Sequence, residues 1–129
     1  MVENKERTGK MILVVIESPY AGDVERNVRY ARACMGDCLK RGEAPLASHL
    51  LYPQEGILDD NIPEERELGM KSGFEWARRA DATVVYTDLG TTSGMSQGIA
   101  NAWLEGRVIE FRELGGEWKD NKVTLLEKL

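Results

Sequence analysis

The sequence has little of what metal sites and disulfide frameworks require. Its 129 residues include one histidine and two cysteines, whereas a closed zinc site needs four ligands at set spacings. Cys34 and Cys38 lie four residues apart within a helical pattern, where small apolar side chains on one helix face are the expected role. We therefore predict no metal and no cofactor, and a chain of this length needs neither to hold a core together.

Long apolar runs and an excess of positive charge are also missing. No apolar segment approaches the roughly 20 residues that a membrane span requires, and nothing resembles a signal peptide, so we expect a cytoplasmic protein that does not bind membranes. The chain has 17 basic and 22 acidic residues and a net charge of −5. That balance disfavours long nucleic acid as a partner, because phosphate backbones attract basic proteins. It does not exclude a local basic pocket for a small anion.

Four apolar segments alternate with three helical patterns along the chain. Strands are expected at 11–17, 44–49, 81–88 and 108–111, and helices between them. This alternation is typical of an α/β fold with a small parallel sheet, right-handed crossovers and helices on both faces. We expect residues 1–10 to be a disordered polar tail and residues 11–114 to be the domain. Residues 115–129 are an extension that is open to three interpretations: a helix, a swapped arm or a partner contact.

The first two helices have different faces. In the first helix, spacings of three and four predict a buried stripe of Val24, Val28, Ala31, Met35 and Leu39. In the second, small residues every four positions predict a smooth face that another backbone can approach, formed by Gly69, Gly73 and Ala77. A glycine inside a helix costs about 1 kcal/mol relative to alanine, so two of them indicate a packing reason.

Candidate ligand-binding residues lie where the strands end, because ligands of such sheets bind beyond the carboxyl ends of the strands. The loop after the first strand can cover a base or a sugar with its backbone and an aromatic ring, although a purely structural turn is the alternative. His49 and Asp88 end the second and third strands. The candidates from this part of the chain are Ser18, Pro19, Tyr20, Ala21, Gly22, Arg26, Asn27, His49 and Asp88.

A second candidate segment opens the third helix. Hydroxyl groups and backbone N–H groups at a helix N-terminus favour binding of a phosphate or a carboxylate. Simple capping of the helix by Thr92 or Ser93 is the other interpretation, and no P-loop spacing is present. The candidates here are Thr91, Thr92, Ser93, Gly94 and Met95.

Several of these segments resemble a known superfamily. The SPYAG loop after the first strand, the Ala80-Asp81-Ala82 entry into the third strand, and Ser93-Gly94-Met95 with its helix are similar to nucleoside 2-deoxyribosyltransferases and nucleoside-5′-monophosphate N-glycosidases. The segments ESPYAGD, GEAPLASHLLYPQ and PEERELG are closer to small bacterial and phage members. The resemblance covers residues 11–114. It implies a Rossmann-like (flavodoxin-like) sheet of four to five strands in a homo-oligomer, with nucleotide pockets near subunit interfaces.

The chain departs from this superfamily where catalysis is concerned. The resemblance implies a nucleophilic glutamate four residues past Gly94 and an aspartate eight residues before Asp81. Both positions hold glycine, Gly98 and Gly73, and glycine has no side chain with which to stabilise an oxocarbenium-like state. Glu17 and Asp88 are the only nearby carboxylates that could replace them.

These observations favour a pseudoenzyme over an enzyme. Our main hypothesis is non-catalytic binding of a nucleotide or an ADP-ribose-like nucleotide sugar, for sensing in a bacterium or for sequestration of an immune signal in a phage-infected cell. The alternative is an N-glycosidase or deoxyribosyltransferase that acts on (deoxy)nucleoside monophosphates through relocated carboxylates. A third hypothesis is an interaction module that uses residues 50–62 and the C-terminal extension.

Overall fold

The fold is built on a four-stranded parallel sheet. A computed structural model describes residues 10–116 and residue 118. The strands are β1 (Ile12–Glu17), β2 (Glu43–Leu46), β3 (Ala82–Tyr86) and β4 (Val108–Arg112). All neighbouring pairs are parallel, in the order β2-β1-β3-β4. The predicted parallel α/β sheet is confirmed. The predictions for residues 1–9, 117 and 119–129 lie outside the described residues.

Three helices connect the strands. They are α1 (Val24–Lys40), α2 (Pro63–Ala77) and α3 (Ser93–Leu104), and a short 3₁₀ turn at Ser48–Leu50 follows β2. Alternate residues of a strand face opposite sides of its sheet, so Val14, Ile16 and Val84 join α1 in the main core. Residues of the opposite parity, such as Glu17 and Thr83, face α2 and α3. Helices therefore cover both faces, as predicted. None of the described helices is both long and apolar enough to cross a membrane.

Local sequence features mark both ends of α1, and its buried face agrees only in part with the predicted stripe. The Asp23 side chain caps the helix by accepting the N–H of Arg26, and Gly42 follows it with φ +83°. The predicted stripe is confirmed at Ala31, which is fully buried, and in part at Val28 and Met35, which are half-buried, whereas Val24 and Leu39 are exposed. Two polar residues explain why the helix is rotated relative to the prediction. Asn27 and Tyr30 are fully buried, and their side chains make hydrogen bonds that the apolar pattern does not reveal. Cys34 and Cys38 are buried on the same face.

A buried ion pair crosses the α1 side of the sheet. Arg112 of β4 donates two hydrogen bonds to Glu43 of β2, at 2.9 and 2.7 Å, and a third to the hydroxyl of Tyr86 at 3.2 Å. The two charged side chains are 3% and 8% exposed. Both charges have lost most of their water, so Glu43 depends on Arg112, which also donates to Glu110 at 3.0 Å.

We predict that Arg112→Met lowers the free energy of unfolding by about 3–5 kcal/mol, because it leaves Glu43 buried without a counter-charge. Urea unfolding provides the measurement. Arg78→Met is the matched control and should cost less than about 1 kcal/mol, since the Arg78–Glu75 pair is exposed. Glu43→Leu combined with Arg112→Met should recover part of the loss. Equal losses in Arg112→Met and Arg78→Met would contradict this account.

Candidate functional site

A cavity of about 230 Å³ lies at the carboxyl ends of β1 and β2, between α2 and α3. The loop after the 3₁₀ turn covers it. Two hydrogen bonds hold this loop, from the Tyr20 hydroxyl to the carbonyl oxygen of Pro53 at 3.2 Å and from the indole of Trp76 to the Tyr52 hydroxyl at 2.8 Å. This is where parallel sheets place their ligands. Much of the wall is apolar, and it includes Leu46, Leu58, Met70, Phe74 and Met95.

The floor of the cavity holds a carboxyl group beside a glycine. Glu17, the last residue of β1, extends its side chain against the backbone of α3 at Gly98. A Cβ atom built on Gly98 would lie within 2.7 Å of all three atoms of the Glu17 carboxyl group, closer than non-bonded atoms approach. The absence of a side chain at position 98 therefore makes room for Glu17.

The surroundings of Glu17 favour its neutral form. Burial raises the pKa of Glu17 to about 8, although the charge of Arg107 acts in the opposite direction. The Arg107 side chain is 5% exposed, bonds Thr83 at 2.9 Å and is paired with Glu105. Much of its charge is therefore directed to partners other than Glu17. At neutral pH the Glu17 carboxyl group carries a proton that it can donate.

A serine–histidine pair lies on another part of the wall. The Oγ of Ser18 and the Nε2 of His49 are 2.7 Å apart, and both residues line the cavity. Burial lowers the pKa of His49 to about 4, so its ring is neutral at pH 7. A neutral imidazole can accept the hydroxyl proton of Ser18 at Nε2.

The second glycine of interest, Gly73 of α2, faces the 3₁₀ turn. A Cβ atom on Gly73 would lie 2.5 Å from the Oγ of Ser48 and 2.9 Å from its Cβ. The group that approaches this helix face at Gly73 is the Ser48 side chain and not, as predicted, another backbone. Ser48 thus fills the space that opens where the resemblance implies an aspartate.

The N-terminus of α3 forms one end of the cavity. Thr92 caps the helix, since its side chain accepts the N–H of Met95 and its carbonyl oxygen accepts that of Ser96. Ser93 and Gly94 in the first turn line the cavity, and the guanidinium group of Arg66 would lie 3.4 Å from a Cβ on Gly94. Capping and anion binding are therefore compatible, because Thr92 caps the helix while Ser93, Gly94 and Arg66 face the cavity.

Only part of the predicted ligand-binding set lines the cavity. Asn27 lies outside it and donates to the carbonyl oxygens of Tyr20 and Ala21, while Arg26 bonds Asn27, so both shape the loop from behind. Pro19, Gly22 and Thr91 also lie outside. The cavity brings together Ser18, Tyr20, Ala21, His49, Thr92, Ser93, Gly94 and Met95.

Asp88 lies on the other side of the β3 end. It accepts the Tyr30 hydroxyl at 2.5 Å and the N–H groups of Leu114 and Gly115, each at 2.9 Å. Burial opposes its charge, but these hydrogen bonds prevail and lower the pKa of Asp88. Its oxygens thus hold the chain after β4, away from the cavity.

Several residues of the cavity were not among the predicted ligand-binding residues. Glu17 was considered only as a replacement carboxylate, although period-two alternation along β1 would have placed it opposite Ile16. Ser48, Arg66 and Arg107 come from a turn, a helix and the residue before β4, and no local pattern marks them. In residues 10–116 and 118, no group of three or more His, Cys, Asp or Glu side chains could hold a metal ion.

Comparison with known proteins gives one family. The family described as "Domain of unknown function (DUF7768)" matches residues 12–112, so the chain belongs to this family. No curated protein matches. Among solved structures, the fold is similar to that of a 2-deoxyribosyltransferase from the psychrotolerant bacterium Bacillus psychrosaccharolyticus. The TM-score is 0.62 at 15% identity, over 88% of this chain and 78% of that one. This likeness confirms the predicted Rossmann-like fold.

We predict that alanine stabilises the protein at Gly69 but not at Gly98. At Gly69 a Cβ would make ordinary contacts at 3.4 and 3.7 Å, so Gly69→Ala should stabilise α2 by up to about 1 kcal/mol. Gly98→Ala should give no such gain, because the end of the Glu17 side chain must shift to admit the new Cβ atom. The measurement is thermal unfolding. Glu17→Ala combined with Gly98→Ala should remove the conflict, and a double variant only as stable as Gly98→Ala alone would refute it.

Proposed function

We propose that the cavity binds a nucleoside or a nucleoside monophosphate and that the protein cleaves or transfers its N-glycosidic bond with Glu17 as the catalytic carboxyl group. One observation carries this proposal. The Glu17 carboxyl group fills the volume in which a side chain at position 98 would begin. The resemblance implies a glutamate at that position, with its carboxyl carbon two bonds beyond Cβ, so β1 brings a carboxyl group close to the place where that carboxyl group would lie.

The chemistry of the bond agrees with a protonated acid at this place. A nucleobase leaves more easily when a proton reaches one of its ring nitrogens, because the electron pair of the C1′–N bond then goes to a neutral base. Glu17 carries such a proton at neutral pH. After donating it, the carboxylate lies near the positive charge that develops on the sugar, which lowers the energy of the oxocarbenium-like state.

The rest of the cavity fits the other parts of a nucleotide. Its apolar wall can hold a base or a sugar face, with Tyr20 and Phe74 as aromatic surfaces. A 5′-phosphate fits the N-terminus of α3 at Ser93 and Gly94, with Arg66 as its counter-charge. The likeness to a 2-deoxyribosyltransferase supports this enzymatic function more than binding alone.

Non-catalytic binding stays the second candidate, and one observation favours it. No carboxylate replaces the aspartate that the resemblance implies at position 73, because the Ser48 side chain fills the space beside Gly73. A protein of this kind would hold a nucleotide or nucleotide sugar intact, for sensing or for sequestration.

We predict that Glu17→Gln lowers base release from deoxynucleosides or their monophosphates by about 10²- to 10⁴-fold, the usual contribution of a general acid. Glu17→Ala combined with Gly98→Asp should restore part of the rate. The carboxyl carbon of the new aspartate would lie one bond beyond its Cβ atom. In the wild type, the Glu17 carboxyl group lies at this Cβ position. Chromatography of the released base measures both effects.

The matched control is Glu17→Ala combined with Gly98→Asn, which has the same shape without the acid and should stay inactive. Wild-type protein that binds nucleotides and returns them intact would instead support non-catalytic binding. Wild-type protein that binds no nucleotide would contradict both functions.

We predict that kcat/KM is level below about pH 8 and falls above it, because Glu17 loses the proton that it must donate. If Glu17 were a nucleophile, it would have to be ionised, and kcat/KM would instead rise as the pH approaches 8. The other charged groups that line the cavity are Asp60, Glu65, Arg66 and Arg107. Arg107→Met should move the limb to higher pH, since the charge of Arg107 lowers the pKa of Glu17. A limb that does not move would contradict the assignment to Glu17.

A further inference from the structure

Ser18 and His49 form a hydrogen-bonded pair that the chemistry of Glu17 does not use. Their side chains meet at 2.7 Å, Ser18 is only 6% exposed, and both residues line the cavity. A hydroxyl group at this distance from an imidazole nitrogen has the geometry of an acid–base pair. The pair therefore needs a role of its own.

We propose that Ser18 and His49 form a relay that takes the proton of the attacking water, so that the protein is a hydrolase and not a transferase. This inference rests on the proposed function. Ser18 touches the water, and His49 acts through Ser18 as a positioning and proton-accepting residue.

The placement of the two groups supports a division of labour. Glu17 and Ser18 are consecutive residues at the end of β1, and successive side chains of an extended chain diverge. Glu17 reaches α3 at Gly98, whereas Ser18 reaches His49 on the 3₁₀ turn. The acid thus points towards α3, whereas the serine–histidine pair points towards the 3₁₀ turn. Direct hydrolysis of a glycosidic bond needs this arrangement, with an acid for the leaving group and a base for water.

The relay conserves protons and electrons. Glu17 gives its proton to a ring nitrogen of the base, and the C1′–N electron pair leaves with the base. The water oxygen forms a bond to C1′ and passes a proton to the Oγ of Ser18, while the proton of Ser18 moves to the Nε2 of His49. The step ends with a carboxylate and an imidazolium ion. The imidazolium then releases its proton to solvent, because burial disfavours its charge, and Glu17 takes up a proton from solvent.

The neutral state of His49 is part of this argument. A ring that is neutral at pH 7 is ready to accept a proton, and the charges that line the cavity do not hold it protonated. The attacking water becomes strongly acidic as it bonds to the electron-poor C1′, so a weak base suffices.

The kinetic test uses Ser18→Ala and His49→Gln, with Ser72→Ala as the matched control on the exposed side of α2. Glutamine can still accept a hydrogen bond from Ser18 but cannot take its proton. We expect the two relay variants to lose about 10²- to 10³-fold in kcat for hydrolysis with little change in KM, and Ser72→Ala to behave like wild type. Added azide should restore base release in both relay variants, because azide attacks C1′ without giving up a proton. It should not rescue Glu17→Gln.

A second readout does not depend on activity. His49 is the only histidine of the chain, so nitrogen NMR of the imidazole gives a single ring to assign. We expect an accepting Nε2 and a protonated Nδ1 at pH 7, and a changed Nε2 shift in Ser18→Ala. A protonated Nε2 would overturn the relay.

The outcomes separate the two proposals. Wild-type protein that releases no base from any nucleoside overturns the proposed function and the relay together. An active wild type with relay variants of normal kcat overturns the relay alone, as does a loss that azide does not restore. Transfer of the sugar to an added base in preference to water would also refute it.

Discussion

The site depends on the burial of the Glu17 carboxyl group against α3 at Gly98, where the helix has no side chain. Glu17 ends a central strand, and Gly98 leaves open the space into which its side chain extends. Removal from water raises the pKa of the carboxyl group and converts it from an anion into a proton donor at neutral pH. Packing, protonation and the proposed catalytic role therefore have one origin, the missing Cβ at position 98.

Polar contacts on the α1 side of the sheet hold the strands in place. The pair between Glu43 and Arg112 joins the two edge strands beneath α1, and Asp88 ties Tyr30 to the chain after β4. The Glu43–Arg112 contact helps to specify where these strands lie, since both groups have lost their water and tolerate little displacement. The side of the sheet that faces α2 and α3 can then hold an open cavity without losing its shape.

The sequence predicted the order and type of the elements well, because the β-branched runs, Asp23, Gly42 and Pro63 are local signals. It did not predict the rotation of α1, since Asn27 and Tyr30 are held by contacts to Tyr20, Ala21 and Asp88 that apolar spacing cannot show. At the site, the strand-end rule located Ser18 and His49 but also selected Asp88, which serves the core. The partnership of Glu17 with Gly98 spans 81 positions of the chain, and only the three-dimensional fold brings the two residues together. Assembly into a homo-oligomer stays a prediction.

Gly98 also has a consequence for how related chains can vary. Positions 17 and 98 share a single small volume that accommodates a side chain from one of them at a time. A bulkier residue on the helix therefore requires a long strand-end side chain to move aside or to be shorter. The residue at one of the two positions thus limits the conformations that the residue at the other can adopt.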